Sequence, residues 1–250
     1  MKTTKELLLF MMQRYEIGKK PLSRLFGWGD TTVMRYLDGV EPNREFAARI
    51  ERLAQNPWAY ADVLEKNKEK LTDTAYRKTR RAVYREIFCD RSTEAMQYVV
   101  SLAEGDIAPY RVMMVLYYAQ TCSMVLRGVP LFEEEADFSP GQPLVYPRLY
   151  QQMKEYGVRL LKPETGSFST EEQEYLKQVY LVLNGYSPNA LKALHSRAKR
   201  RIRRHLKNEA DHISADVLKG QYEAGFKKSG VERPEDLKNY ISDALKRSEN

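Results

Sequence analysis

The residues with the clearest chemical potential lie in PLSRLFGWGDTTVMRYLDGVEP, residues 21–42. Leu22, Leu25 and Phe26 recur at helical spacing and Gly27-Trp28-Gly29 interrupts them. Asp30 stands where an N-cap would open a second helix with Val33 and Leu37 inward. That phase leaves Thr31, Thr32, Met34 and Arg35 on the outer face. Two short helices joined by a turn, the second offering hydroxyls and a guanidinium, form a layout that reads base edges in the major groove. Arginine suits a bidentate contact with guanine, and Met34 an apolar contact with a thymine methyl. The competing reading is a helical hairpin that only packs.

Two charged segments could also bind. From Lys192 to Lys207 stand eight Lys and Arg residues and no acid, with Arg197, Arg201 and Arg204 sharing one helical face and Arg200 on another. Such a segment attracts nucleic acid or an acidic protein surface, or is simply solvated. Glu133, Glu134, Glu135 and Asp137 form an acidic cluster in a proline-rich stretch, read as a mobile polar loop suited to a basic partner.

Enzymatic chemistry finds little footing. His195, His205 and His212 are too spread for zinc, and Glu209-x-x-His212 lacks the second matching motif of helical carboxylate sites. No GxSxG, Walker loop or GxGxxG occurs. Cys89 and Cys122 show no CxxC spacing. The expectation is no metal, no cofactor and no catalysis.

The elements that must position these residues are almost all helical, so the fold class expected is all-α. Asn43 caps a helix to Ala54, and Asn56-Pro57 opens the last of five helices in an N-terminal head, residues 1–70. Residues 71–92 are densely charged and read as a connecting helix, whose five basic residues from Arg77 to Arg85 could touch phosphates. A second domain spans 93–228 and a C-terminal helix 229–250. Within it Pro109 opens a long apolar helix to about Arg127, Ser169 and Glu172 form a capping box, and Ser187-Pro188, Ser214 and Pro234 precede further helices. Short candidate strands fall around Val158 to Leu161.

At 250 residues, with 41 Lys and Arg against 34 Asp and Glu, a net charge of +7 and a pI near 9.2, the chain favours nucleic acid or an acidic protein as partner. LLLFMM is too short for a signal-peptide core and is read as the buried face of the first helix. VMMVLYYAQTCSMVL is interrupted by polar residues and falls short of a bilayer span. A reducing cytoplasm and no membrane association are expected.

The apolar helix, glycine turn, Thr31-Thr32-apolar-x-Arg35-Tyr36, then Gly39, Pro42 and NREFAARIERL resemble the repressor-type (Xre/MqsA-like) helix-turn-helix of antitoxin and phage regulators. That resemblance implies Thr31, Thr32 and Arg35 as base readers, Tyr36 packing near the backbone, and operator DNA, often bound by a homodimer.

Further along, YVVSLAEG, APYRVMMVLYYAQTCSMVLRGVPLF, the EEEAD loop, QPLVYPRLY, FSTEEQEYLKQVYLVLNGYSPNALKALH and ISADVLKGQY resemble the Panacea, or SocA-like, domain over roughly Met96 to Tyr222. The most specific element is Leu116-Tyr-Tyr-Ala-Gln120 followed by Gly128-Val-Pro130-Leu131-Phe132. The chain departs from the family pattern at Gln142-Pro143-Leu144, at Phe138, and after His195, where RAKRRIRRHLK replaces the usual Pro-Trp. The resemblance implies a mainly helical antitoxin domain that neutralises a cognate protein toxin, usually encoded by a neighbouring gene. Tyr117, Tyr118, Phe132, Tyr146 and Tyr150 are then candidate toxin anchors, with Glu133, Glu134, Glu135, Arg197, Arg200, Arg201 and Arg204 beside them. Core packing is the competing reading for the aromatics. The alternative function is a stand-alone phage-type transcription regulator whose C-terminal half dimerises or senses a ligand.

Overall fold

A computed structural model describes residues 2–137, 146–158, 161, 166–205 and 212–246, and does not describe the side chains of Arg201, Arg203, Arg204, His205 and His212. The protein is all-α: thirteen α-helices run through the described residues. The only strands among them are β1 (Ala136–Asp137) and β2 (His212–Ile213), paired antiparallel with Ala136 opposite Ile213. The strands expected near Val158 to Leu161, and the departures at Phe138 and at 142–144, lie wholly or partly outside the described residues. The chain divides into two compact units, 1–89 and 90–250.

The first unit holds α1 (Thr4–Arg14), α2 (Lys19–Leu25), α3 (Thr32–Leu37), α4 (Arg44–Gln55), α5 (Pro57–Lys66) and α6 (Asp73–Ile87). Its helix starts are set by capping: Thr3 and Glu6 close a capping box, Asn43 Oδ1 accepts from the Phe46 N–H at 2.8 Å, and Asn56 caps α5. LLLFMM does not form one buried face. Leu7, Leu8 and Met11 turn inward while Leu9 and Phe10 are exposed, because a 3.6-residue period cannot bury a continuous run on one side. Tyr15, fully buried against Tyr60, donates its hydroxyl to the Leu53 carbonyl at 3.1 Å, and burial pushes its pKa up to about 12.

The segment read as a connector is a wall of this unit. On α6, Thr79, Ala82, Val83, Tyr84 and Ile87 form a buried stripe packed on α5. The Thr79 hydroxyl donates to the Tyr15 carbonyl, and Arg85–Glu16 (2.6 Å) and Arg14–Glu86 (2.8 Å) tie α6 to α1 and the residues that follow it. The stripe is narrow and includes the small or polar Thr79 and Ala82, so the charged residues around it masked it. The unit closes at Cys89.

The second unit contains α7 (Arg91–Leu102), α8 (Pro109–Leu126), α9 (Pro147–Tyr156), α10 (Thr170–Asn184), α11 (Pro188–His205), α12 (Ala215–Lys228) and α13 (Leu237–Lys246). Every residue from Val112 to Met124 is buried, and α7, α9, α10, α11 and α12 all pack on α8. A helix apolar on all sides is stable only when neighbours surround it. Its few polar side chains are paired. Gln120 Nε2 donates to the Phe132 carbonyl (2.6 Å), while Gln120 Oε1 accepts from the N–H groups of Leu131 (2.8 Å) and Phe132 (3.4 Å). Ser123 donates to the Val129 carbonyl, and the Tyr117 and Tyr222 hydroxyls meet at 2.8 Å. On α7 the buried Glu94 carboxylate accepts from the Ser167 N–H, the Ser167 hydroxyl and the Phe168 N–H, which fixes the chain entering α10. The Ser169–Glu172 capping box then opens that helix.

Gln120→Leu leaves two buried N–H groups and a buried carbonyl without their Gln120 partner and is expected to cost the second unit about 3 kcal/mol. Urea titration followed by near-ultraviolet tyrosine dichroism checks this. Both tryptophans, Trp28 and Trp58, lie in the first unit, so the transition seen in their emission should stay in place.

Candidate functional site

In the first unit, α2 and α3 pack together and α3 also packs on α1. Gly27, at φ 73°, takes the left-handed conformation that turns the chain out of α2. Trp28 fills the turn: its ring meets Phe26 edge-on at 4.7 Å, Tyr36 edge-on at 5.7 Å and Phe46 of α4 at 5.2 Å. Arg49 of α4 donates to the Phe26 carbonyl at 3.2 Å. α3 therefore rests on an aromatic cluster anchored to α4.

Asp30 is not the N-cap of α3. Thr31 holds that position without a side-chain cap, and the buried Val33 N–H donates instead to Ser23 Oγ of α2 at 3.3 Å. Asp30 makes a bidentate pair with Arg24, both oxygens at 2.9 Å, and the hydrogen bonds from that guanidinium hold its carboxyl below the usual range. Local sequence cannot show a cap delivered from the preceding helix, and the Arg24–Asp30 pair removes the residue that looked available for it.

Val33 and Leu37 are buried, and Thr31, Met34 and Arg35 are exposed, with Thr32 and Tyr36 half-buried. Among the described residues Arg35 makes no ion pair or side-chain hydrogen bond. Lys19 and Lys20 stand exposed at the start of α2, and Arg44 at the start of α4.

In the second unit the aromatic anchors need correction. Tyr117, Tyr118, Phe132 and Tyr146 are at most 1% exposed, so they are core residues. Tyr117 and Tyr118 meet Tyr222 edge-on, and Phe132 meets Tyr146, because α8 is enclosed by its neighbours and Leu131 and Phe132 of the loop after it are buried with it. Only Tyr150 retains surface, with Lys154 Nζ 5.7 Å from its ring centre.

The acidic cluster is partly spoken for within the chain. Arg148 of α9 reaches Glu134 at 2.7 Å, Asp90 at 3.1 Å and the Ser92 hydroxyl at 2.8 Å, and the Ser92 hydroxyl lies within hydrogen-bond distance of both carboxylates, either of which accepts its one proton. Burial opposes charge on Asp90, but hydrogen bonds from Ser92 and Thr93 and the Arg148 charge outweigh it and hold its pKa low. Glu134 is thus an internal brace, and Glu133 and Glu135 are the exposed carboxylates. Arg91 adds a second brace, donating to the Leu131 carbonyl and to Glu172. Sequence reading missed Arg91, Glu94 and Arg148, whose partners lie 40 or more residues away in most cases and leave no local signal.

In the basic segment Arg200 is exposed and Arg197 half-buried, while the side chains of Arg201 and Arg204 and the whole of Glu209 lie outside the described residues. Among the described residues no three His, Cys, Asp or Glu side chains come together as metal ligands, and no helix is long and apolar enough to cross a membrane. His195 is buried beside the Tyr110 ring, 6.1 Å between centres. No protein-family model, curated protein or solved structure matches the chain.

Burial, aided by the Lys199 charge, lowers the His195 pKa from 6.5 to about 4. Between those values the unfolded chain takes up a proton that the folded chain refuses, so stability falls as pH drops through the window and levels off near pH 4. The loss should reach about 3 kcal/mol. Urea midpoints of wild type and His195→Gln across this range check it: the variant should show a flatter acid limb.

Proposed function

We propose that the chain is an antitoxin: its first unit reads operator DNA and represses its own promoter, and its second unit neutralises a cognate protein toxin by direct binding, in the cytoplasm and without catalysis. The observation that carries this reading is the Gln120 bracket. The two sequence elements on which the Panacea resemblance rests, Leu116 to Gln120 and Gly128 to Phe132, are one interlocked structure, with the side chain of the first bonded to the backbone of the second. A motif whose parts depend on each other physically carries more weight than two chance matches.

The first unit supports the DNA reading by its chemistry. α3 turns two apolar residues inward and leaves Thr31, Met34 and Arg35 exposed, with an unpaired guanidinium suited to a guanine edge. Lys19 and Lys20 stand on the helix that crosses the phosphate backbone in this class of motif. For toxin binding, the surface with the best interface chemistry is the α8–β1 loop and α9, joined by the Arg148–Glu134 pair. It presents Val129, Glu133, Glu135 and Tyr150. Val129 is 47% exposed, an apolar contact on the same loop as the exposed carboxylates of Glu133 and Glu135, which suit a basic toxin face.

Growth of a host expressing the protein encoded beside this chain, with and without residues 90–250, tests the antitoxin reading. Toxicity relieved by co-expression supports it; a harmless neighbour, or one that stays toxic, overturns it in favour of a stand-alone regulator. For the DNA surface, Arg35→Ala should weaken binding to the upstream promoter by about 1–3 kcal/mol and relax preference at one base pair. Lys19→Ala should weaken binding uniformly and lower the salt slope by about 1. Gel shifts at several salt concentrations read both, and full-strength binding by Arg35→Ala removes α3 as the reader.

A further inference from the structure

The second unit contains a cleft that neither part of the proposed function uses. It encloses about 240 Å³ and is lined by Arg197 of α11, Gly225, Lys228 and Ser229 at the end of α12, and Tyr240, Asp243 and Ala244 of α13. Its construction is specific. Gly225 lets the Tyr240 ring lie against α12, since a Cβ there would come within 2.9 Å of Tyr240 Cε2. Ser229, the C-cap of α12, donates its hydroxyl to Asp243 Oδ2 at 2.7 Å, which joins the C-terminal end of α12 to α13.

The charges at the cleft do not cancel. Among the described residues neither Arg197 nor Lys228 makes an ion pair or a side-chain hydrogen bond. Lys228 alone is explained by its place in the last turn of α12, where a cation favours the helix dipole. Arg197 has no such explanation. Arg197 is half-buried and lines the cleft, and among the described residues no group accepts a hydrogen bond from its guanidinium, which leaves a planar set of donors for a ligand. Among the described residues the only lining acid is Asp243, one oxygen of which is occupied by Ser229.

Two lining cations and one carboxylate leave one positive charge for a ligand to match. A guanidinium holds a carboxylate through two parallel hydrogen bonds. The remaining Asp243 oxygen accepts a proton donor and repels a second negative charge. The volume falls just under the usual range for drug-sized ligands. We propose that this cleft binds a small carboxylate monoanion carrying a neighbouring hydroxyl group: the carboxylate on Arg197 and Lys228, the hydroxyl donating to Asp243.

The inference is independent of the antitoxin and DNA readings, and so is its test. Amide chemical shifts of the full chain are followed while lactate, glycine, acetate or inorganic phosphate is added. The expected result is saturable shifts at Gly225, Ser229 and Ala244 with lactate in the millimolar range, weaker with acetate and with the net-neutral glycine, and about tenfold weaker with Arg197→Gln. Lys228→Gln, at an exposed position outside the core, should weaken binding in the same direction, and the spectrum itself reports whether each variant is folded. No saturable shift with any probe, or equal binding by both variants, overturns the site. Phosphate or acetate binding as well as lactate overturns the assigned ligand class.

Discussion

One constraint organises the larger unit: α8 buries every residue from Val112 to Met124. Such a helix cannot fold alone or face water on any side, so five other helices are obliged to close around it. The polar groups carried inside must then be satisfied by whatever surrounds them. Gln120 and Ser123 meet that demand by seizing the backbone of the segment that leaves α8, so that the loop becomes part of the core. Glu94 does the same for the chain entering α10. Removing such partners costs far more than a surface contact, because a buried polar group has no water to return to.

The same logic explains why the aromatic residues there are structural. Tyr117, Tyr118 and Tyr222 fill the space around α8 and share hydroxyl and ring contacts. What is left for recognition is the exposed periphery, held in place from within by Arg148 and Arg91. In the smaller unit the relation is reversed: a six-residue helix too short to be stable by itself is positioned by Trp28, Ser23 and the Arg24–Asp30 pair. Its outward side chains are thereby free of structural duty.

Much of this was legible in the sequence. Helix starts at Asn43, Asn56, Ser169 and Ser214 follow from capping chemistry that acts over three residues. The inward phase of Val33 and Leu37 follows from periodicity. Features set by distant residues were not legible. The cap at Val33 comes from ten residues earlier, Glu134 is taken by Arg148, and α6 shows its role only once Tyr15 and Glu16 lie beside it. The five aromatics illustrate the limit well: residue type marks a side chain as valuable in a core and at an interface alike, and only enclosure by other helices assigned four of them to the core.

The central claim is a division of labour between an operator-reading unit and a partner-binding unit. Amide hydrogen exchange on the full chain, alone and in complex with the protein encoded beside it, tests this most directly. The account predicts slowed exchange within residues 90–250, centred on the segment from Val129 to Asp137 and on α9, with 1–89 unchanged. Protection confined to residues 1–89 would contradict it.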